Sequence, residues 1–162
     1  MLARMPRRLG PSPRIGARHP SLQLDQSAPD GIRARLLELA MTLEGVRVAS
    51  LREEGVSLVL AESLAGGQPE AFLNGREFAV VRADGSVHLV LAPSWGQKVM
   101  DRSWAAIHPL ARYMAGAISP GNLIVYAPRN SGDLRVVWQI LQAAHAFAIG
   151  TVGRMALPDS RW

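Results

Sequence analysis

Regular alternation of apolar and polar positions marks out most of the elements of this chain. From Asp30 to Glu44, Ile32, Leu36, Leu39, Ala40 and Leu43 fall at helical spacing, and Leu37 widens the stripe. Ser27 or Asp30 can cap the start of that helix, and Gly45 can close its end. Val46–Ser50 and Val56–Glu62 read as strands joined by a turn at Glu53-Glu54-Gly55. Ser63–Glu70, with Gly66, Gly67 and Pro69, reads as a loop.

The segment Glu77–Ala92 predicts a hairpin. Asp84-Gly85 suits a two-residue type I′ turn, whose central residues both need positive φ. In that register Val81 faces His88 and Val80 faces Leu89. Phe78, Val80, Val87, Leu89 and Leu91 then form the core face, while Glu77, Ala79, Val81, His88 and Val90 form the other. Pro93 ends the hairpin, and Ser94 can cap a short helix reaching about Arg102. Ser103–Gly121 has no period and contains Pro109, Gly116, Pro120 and Gly121, so a long loop is expected there, of a kind that is often functional.

Asn122–Tyr126 reads as a strand. A last helix from about Gly132 to Ile149 carries Leu134, Val137, Trp138, Leu141, Ala144 and Ala148 on its stripe. Asn130 or Ser131 can cap it, and Gly150 can stop it. The uncharged run Val136–Gly153 is long enough to suggest a membrane span, but Gln139, Gln142 and His145 interrupt it. A buried amphipathic helix is expected instead, and no membrane span.

Together these elements predict one α+β domain over residues 27–150. Its largely antiparallel sheet of about five strands packs with two main helices. The length of 162 residues agrees with one domain and excludes a (β/α)₈ barrel. Cysteine is absent, which removes disulfides, zinc–thiolate sites and a cysteine nucleophile. No metal and no cofactor is expected.

Charge separates the N-terminal arm from the rest. Residues 1–24 hold Arg4, Arg7, Arg8, Arg14 and Arg18 and no acid, which leaves 13 basic and 13 acidic residues beyond them. With a neutral body, no nucleic-acid partner is expected. Pro6, Pro11, Pro13 and Pro20 break any period in residues 1–26, so a disordered arm is predicted. A targeting signal is the alternative, since transit peptides are Arg-rich and acid-poor. No apolar secretory core follows Arg8, and a cytoplasmic location is expected. Residues 151–162 are a tail.

Composition and spacing reveal no reaction. Phosphate-binding glycine loops, the H-E-x-x-H helix and the G-x-S-x-G elbow are all missing. His145 sits on the stripe of the last helix, where a satisfied structural histidine is expected. His88 on the hairpin and His108 in the long loop could carry protons near neutral pH, though either alone is more simply structural. Arg129 lies just before a helix N-terminus, where the dipole disfavours a cation unless a ligand or a carboxylate such as Asp133 pairs with it. Glu77 shares the second hairpin face with His88.

Four blocks carry a family resemblance: Arg76-Glu77-Phe78-Ala79 with Asp84-Gly85-Ser86-Val87-His88-Leu89; Trp104-Ala105-Ala106-Ile107-His108-Pro109-Leu110-Ala111; Val125-Tyr126-Ala127-Pro128-Arg129; and Val136-Val137-Trp138. In order and spacing they resemble a bacterial and fungal family known as the luciferase domain. The resemblance implies no defined activity, and the family name does not itself establish light emission. This chain has Val80 and Arg82 where the family commonly has histidines, while His88, His108 and Arg129 remain. The expected function is therefore that of a luciferase-domain protein with a small-ligand pocket near the hairpin and the 103–121 loop. Glu77, His88, His108 and Arg129 are the candidate ligand-binding residues. A non-enzymatic interaction module and a small enzyme with a histidine general base are the alternatives.

Overall fold

A computed structural model describes residues 2, 4–18, 20–52, 55–109, 111 and 121–151. Among the described residues three helices and six strands follow in the order α1 (Asp30–Ala40), β1 (Val46–Arg52), β2 (Gly55–Leu60), β3 (Glu77–Arg82), β4 (Val87–Val90), α2 (Pro93–Asp101), β5 (Ala105–Ile107), β6 (Asn122–Val125) and α3 (Ser131–Ile149). The strands form one sheet in the order β1-β2-β3-β4-β6-β5, and every neighbouring pair is antiparallel. The α+β class holds. The sixth strand, β5, falls inside the stretch expected to be loop. It is three residues long and owes its form to its partner β6, against which Ala105 and Ile107 pair with Val125 and Leu123.

The helix ends show which local signals act. Asn130 caps α3 by accepting from the Asp133 amide at 2.9 Å, and Gly150 ends it with φ +91°. At α2 the expected Ser94 cap is not used: Pro93 occupies the first turn, where its missing N–H costs nothing. Neither Ser27 nor Asp30 caps α1. It stops at Ala40, and a tight turn fastened by Thr42 Oγ1 to Leu39 O leads to β1.

The hairpin register differs from the expected one by one residue. Ala79 pairs with Leu89, Val80 with His88, and Val81 with Val87. The connection has three loop residues: Arg82 N–H donates to Ser86 O, Gly85 N–H donates to Arg82 O, and Gly85 takes φ +90°. This matches a type I turn closed by a left-handed glycine. Asp84 selects it, because its Oδ1 accepts from both the amide and the hydroxyl of Ser86. The slip exchanges faces. Ala79 and Val81 now join Val87, Leu89, Leu123 and Val125 in the core, while Val80 lies beside His88 on the opposite face. Phe78 is the unpaired residue of a bulge between the Leu58–Ala79 and Val59–Glu77 pairs, so it too reaches the core.

On the core face, α1 and α3 pack over the sheet with Leu36, Leu58, Leu60, Ile140 and Leu141 fully buried. His145 of α3 is satisfied as expected: its Nε2 meets Glu44 O at 2.8 Å and its ring meets Phe78 edge-on. Among the described residues, no helix is long and apolar enough to cross a membrane.

The arm departs from expectation most. The described part of residues 1–26 lies against the domain. Leu2, Met5 and Arg8 turn inward at every third position and are 2–3% exposed. Trp104 Nε1–H donates to Pro6 O at 2.7 Å, and Arg8 N–H donates to Arg102 O at 2.9 Å. Further on, Ile15 and Gln23 bridge in a small hairpin over Ala106 and Tyr126. Gln23 joins two distant loops, donating its amide to Asp84 Oδ2 and accepting from the Ala127 amide. Prolines remove period but not burial: backbone carbonyls and a few apolar side chains hold this segment where a helix stripe would hold another.

Candidate functional site

The face of the sheet away from α1 and α3 is polar at its centre. Ser57, Glu77, Arg82, His88 and Asn122 occupy it through the strand register just given. His88 pairs across with Val80 on one side and Ile124 on the other. His108 follows β5, and its amide donates to Asn122 O at 2.9 Å, continuing the β5–β6 pairing by one residue. That extension brings two of the candidate residues together. The His88 and His108 rings stack at 4.2 Å between centroids, with 25° between planes. Asn122 ties both, since its side-chain oxygen accepts from His88 Nε2 at 3.1 Å.

His88 keeps a little accessible surface, yet its ring is walled in. Burial, reinforced by His108 and Arg82 and opposed by the Asn122 bond, lowers its pKa to about 3. It is therefore neutral at physiological pH. A general base works best with a pKa near the working pH, so this geometry does not favour His88 as one.

Glu77 and Arg129 do not join the pair. Glu77 accepts a hydrogen bond from the Ser57 hydroxyl on the neighbouring strand and lines a shallow hollow with Arg47 and Arg76. Arg129 is held by Asp133, Nε to Oδ2 at 2.6 Å, and also donates to Leu9 O of the arm at 2.8 Å. Partial burial alone would raise the Asp133 carboxyl, but the hydrogen bonds and charge of Arg129, with Arg8 nearby, hold it below the usual range. Arg129 thus has the carboxylate partner that its place near the α3 N-terminus calls for. Among the described residues no group of three or more His, Asp or Glu could hold a metal ion.

A separate cavity of about 430 Å³ opens where β4 ends. Val90, Leu91, Ile107, Leu123, Met100 and Phe147 make its apolar wall, and Gly121 borders it at the end of the 103–121 segment. Gln68, Glu70 and Gln97 stand at its rim, and none of Glu77, His88, His108 or Arg129 lines it. Gly96 forms part of its wall from the middle of α2. A side chain there would not be excluded by crowding: a Cβ would meet Leu123 Cδ1 at 3.5 Å and Leu91 Cβ at 3.9 Å, ordinary contacts. A mid-helix glycine costs about 1 kcal/mol against alanine. That unforced glycine is the one sequence signal that could have pointed to this cavity.

Residues 75–144 match the family model described as Luciferase domain. Over that stretch the chain is similar to the luciferase-domain family. The match runs from just before β3 into α3, so it includes the hairpin, the histidine pair and most of the cavity wall. Two fungal proteins named luciferase, from Armillaria gallica and Armillaria mellea, are each 38% identical over 65 residues. The alignment covers 38% of this chain and 23% of each relative, so the chain spans about a quarter of the length of the curated relatives it matches. No solved structure matches. α1, β1 and β2 lie before the matched stretch, although β2 pairs with β3 in the same sheet.

Proposed function

We propose that this luciferase domain binds a small, largely apolar molecule in the cavity between the end of β4, α2 and the end of α3. The observation that carries this is Gly96. The chain bears the helix penalty of a glycine at a wall position where an alanine would fit, and the effect is to leave the cavity open. The volume and the apolar wall with a few polar groups at the rim suit a ligand of modest size. The name luciferase belongs to the Armillaria proteins; light production by this chain would require an oxidisable ligand in this cavity, and ligand binding is the first step to establish.

The test uses N-phenyl-1-naphthylamine, a neutral dye that brightens in apolar surroundings. The wild-type chain should bind it saturably. Gly96→Leu, which fills the cavity, should weaken binding at least tenfold. Gly96→Ala should raise the melting temperature, in line with about 1 kcal/mol of helix propensity. Saturable binding that Gly96→Leu leaves unchanged would remove the cavity from the argument. Absence of binding would leave an interaction module as the better reading.

A further inference from the structure

Docking of the arm turns its charge into a fixed surface. The whole positive excess of the chain belongs to residues 1–24, and the remainder balances at 13 basic and 13 acidic residues. Arg8 is buried and Arg14 is paired with Asp25 at 3.3 Å, but Arg4, Arg7 and Arg18 are exposed, and Arg102 beside the arm is exposed as well. The two most exposed large apolar side chains among the described residues are Leu9 at 79% and Leu24 at 63%. Both belong to the arm. Leu9 follows the buried Arg8 and Leu24 follows the buried Gln23, so these leucines are presented by an anchored segment.

We propose that this arm surface binds an anionic lipid bilayer, with arginines at the headgroups and Leu9 and Leu24 in the interface. Basic groups together with exposed aliphatic side chains are the combination that a charged membrane surface rewards. A single-stranded nucleic acid would be served by exposed aromatic platforms among the cations, whereas Trp95, Trp104 and Tyr126 are buried. The association is peripheral and needs no spanning helix.

Flotation of the 162-residue chain with vesicles tests this. At moderate salt it should float with phosphatidylcholine vesicles containing phosphatidylserine and stay behind with phosphatidylcholine alone. Arg4→Gln, Arg7→Gln and Arg18→Gln combined should weaken binding about a hundredfold, near the expectation for three surface cations. Leu9→Ser with Leu24→Ser should weaken it about tenfold and leave the melting temperature unchanged, because both side chains are already exposed. Failure of the wild type to float with anionic vesicles would overturn the proposal. So would binding that the leucine variant retains in full while a single-stranded oligonucleotide displaces the vesicles, an outcome that would assign the surface to nucleic acid.

Discussion

The two faces of the sheet are built by different means. On one, α1 and α3 lay periodic apolar stripes over Ala79, Val81, Val87, Leu89, Leu123 and Val125, and burial of hydrocarbon does the work. On the other, Ser57, Arg82, His88 and Asn122 stand at the centre, and hydrogen bonds between polar groups hold them. Arg82 reaches Pro20 O of the arm. A face sealed by helices can be apolar throughout. A face with polar side chains at its centre has to satisfy each of them, and there the buried histidine pair is found.

The sharpest break is expected on the helix side. Leu89→Ala removes a side chain that is fully buried between β3, β6 and the helices, and it should cost about 3 kcal/mol, read as the shift in a denaturant midpoint. A loss below about 1 kcal/mol would show that Leu89 does not lie in the core. This test bears directly on what was legible in the sequence. Leu89 was placed in the core by either register, but Val80 and Val81 exchanged roles. The slip depends on the side chain of Asp84 turning back onto Ser86, which the Asp-Gly signal alone does not specify.

Removal of residues 1–9 comes next. A free arm would leave the midpoint unchanged. The docked arm buries Leu2 and Met5 and bonds to Trp104, so truncation should cost about 2 kcal/mol or more. Protection of the Trp104 indole proton from exchange should vanish with it, a readout that global stability would not mimic if the rest of the domain stays folded.

The smallest effect, when read over one pH unit, is the pH dependence of the polar face. The His88 pKa falls from 6.5 to about 3 on folding. Between those values the unfolded chain binds a proton that the folded chain refuses. His88 therefore contributes full stability above about 6.5, and that contribution is lost as pH falls through the window, at up to ~1.4 kcal/mol per pH unit. His88→Gln keeps a donor for Asn122 and should flatten the slope between pH 6 and 5. An unchanged slope would mean that another group dominates acid sensitivity there.

Arg129 and His108 show the same division at the candidate site. The Arg129 position between strand and cap was readable because its conflict with the helix dipole is local, and Asp133 lies four residues away. The meeting of His88 and His108 was not readable, because 20 residues and a strand reversal separate them and only the β4-β6-β5 order brings them together.

By itself the sequence determined the elements whose causes lie within a few residues: the stripes of α1 and α3, the Asn130 cap, the Gly150 stop and the strands long enough to show an apolar run. Tertiary structure decided what depends on a partner supplied from elsewhere in the chain. β5 is too short to carry a period and exists because β6 offers it a ladder. The arm has the composition of a disordered leader, and it is ordered because Trp104, Tyr126 and the hairpin loop give the Pro6 carbonyl, the Arg8 guanidinium and the Gln23 amide somewhere to bind. Local propensity is a property of the segment, whereas docking is a property of the pair.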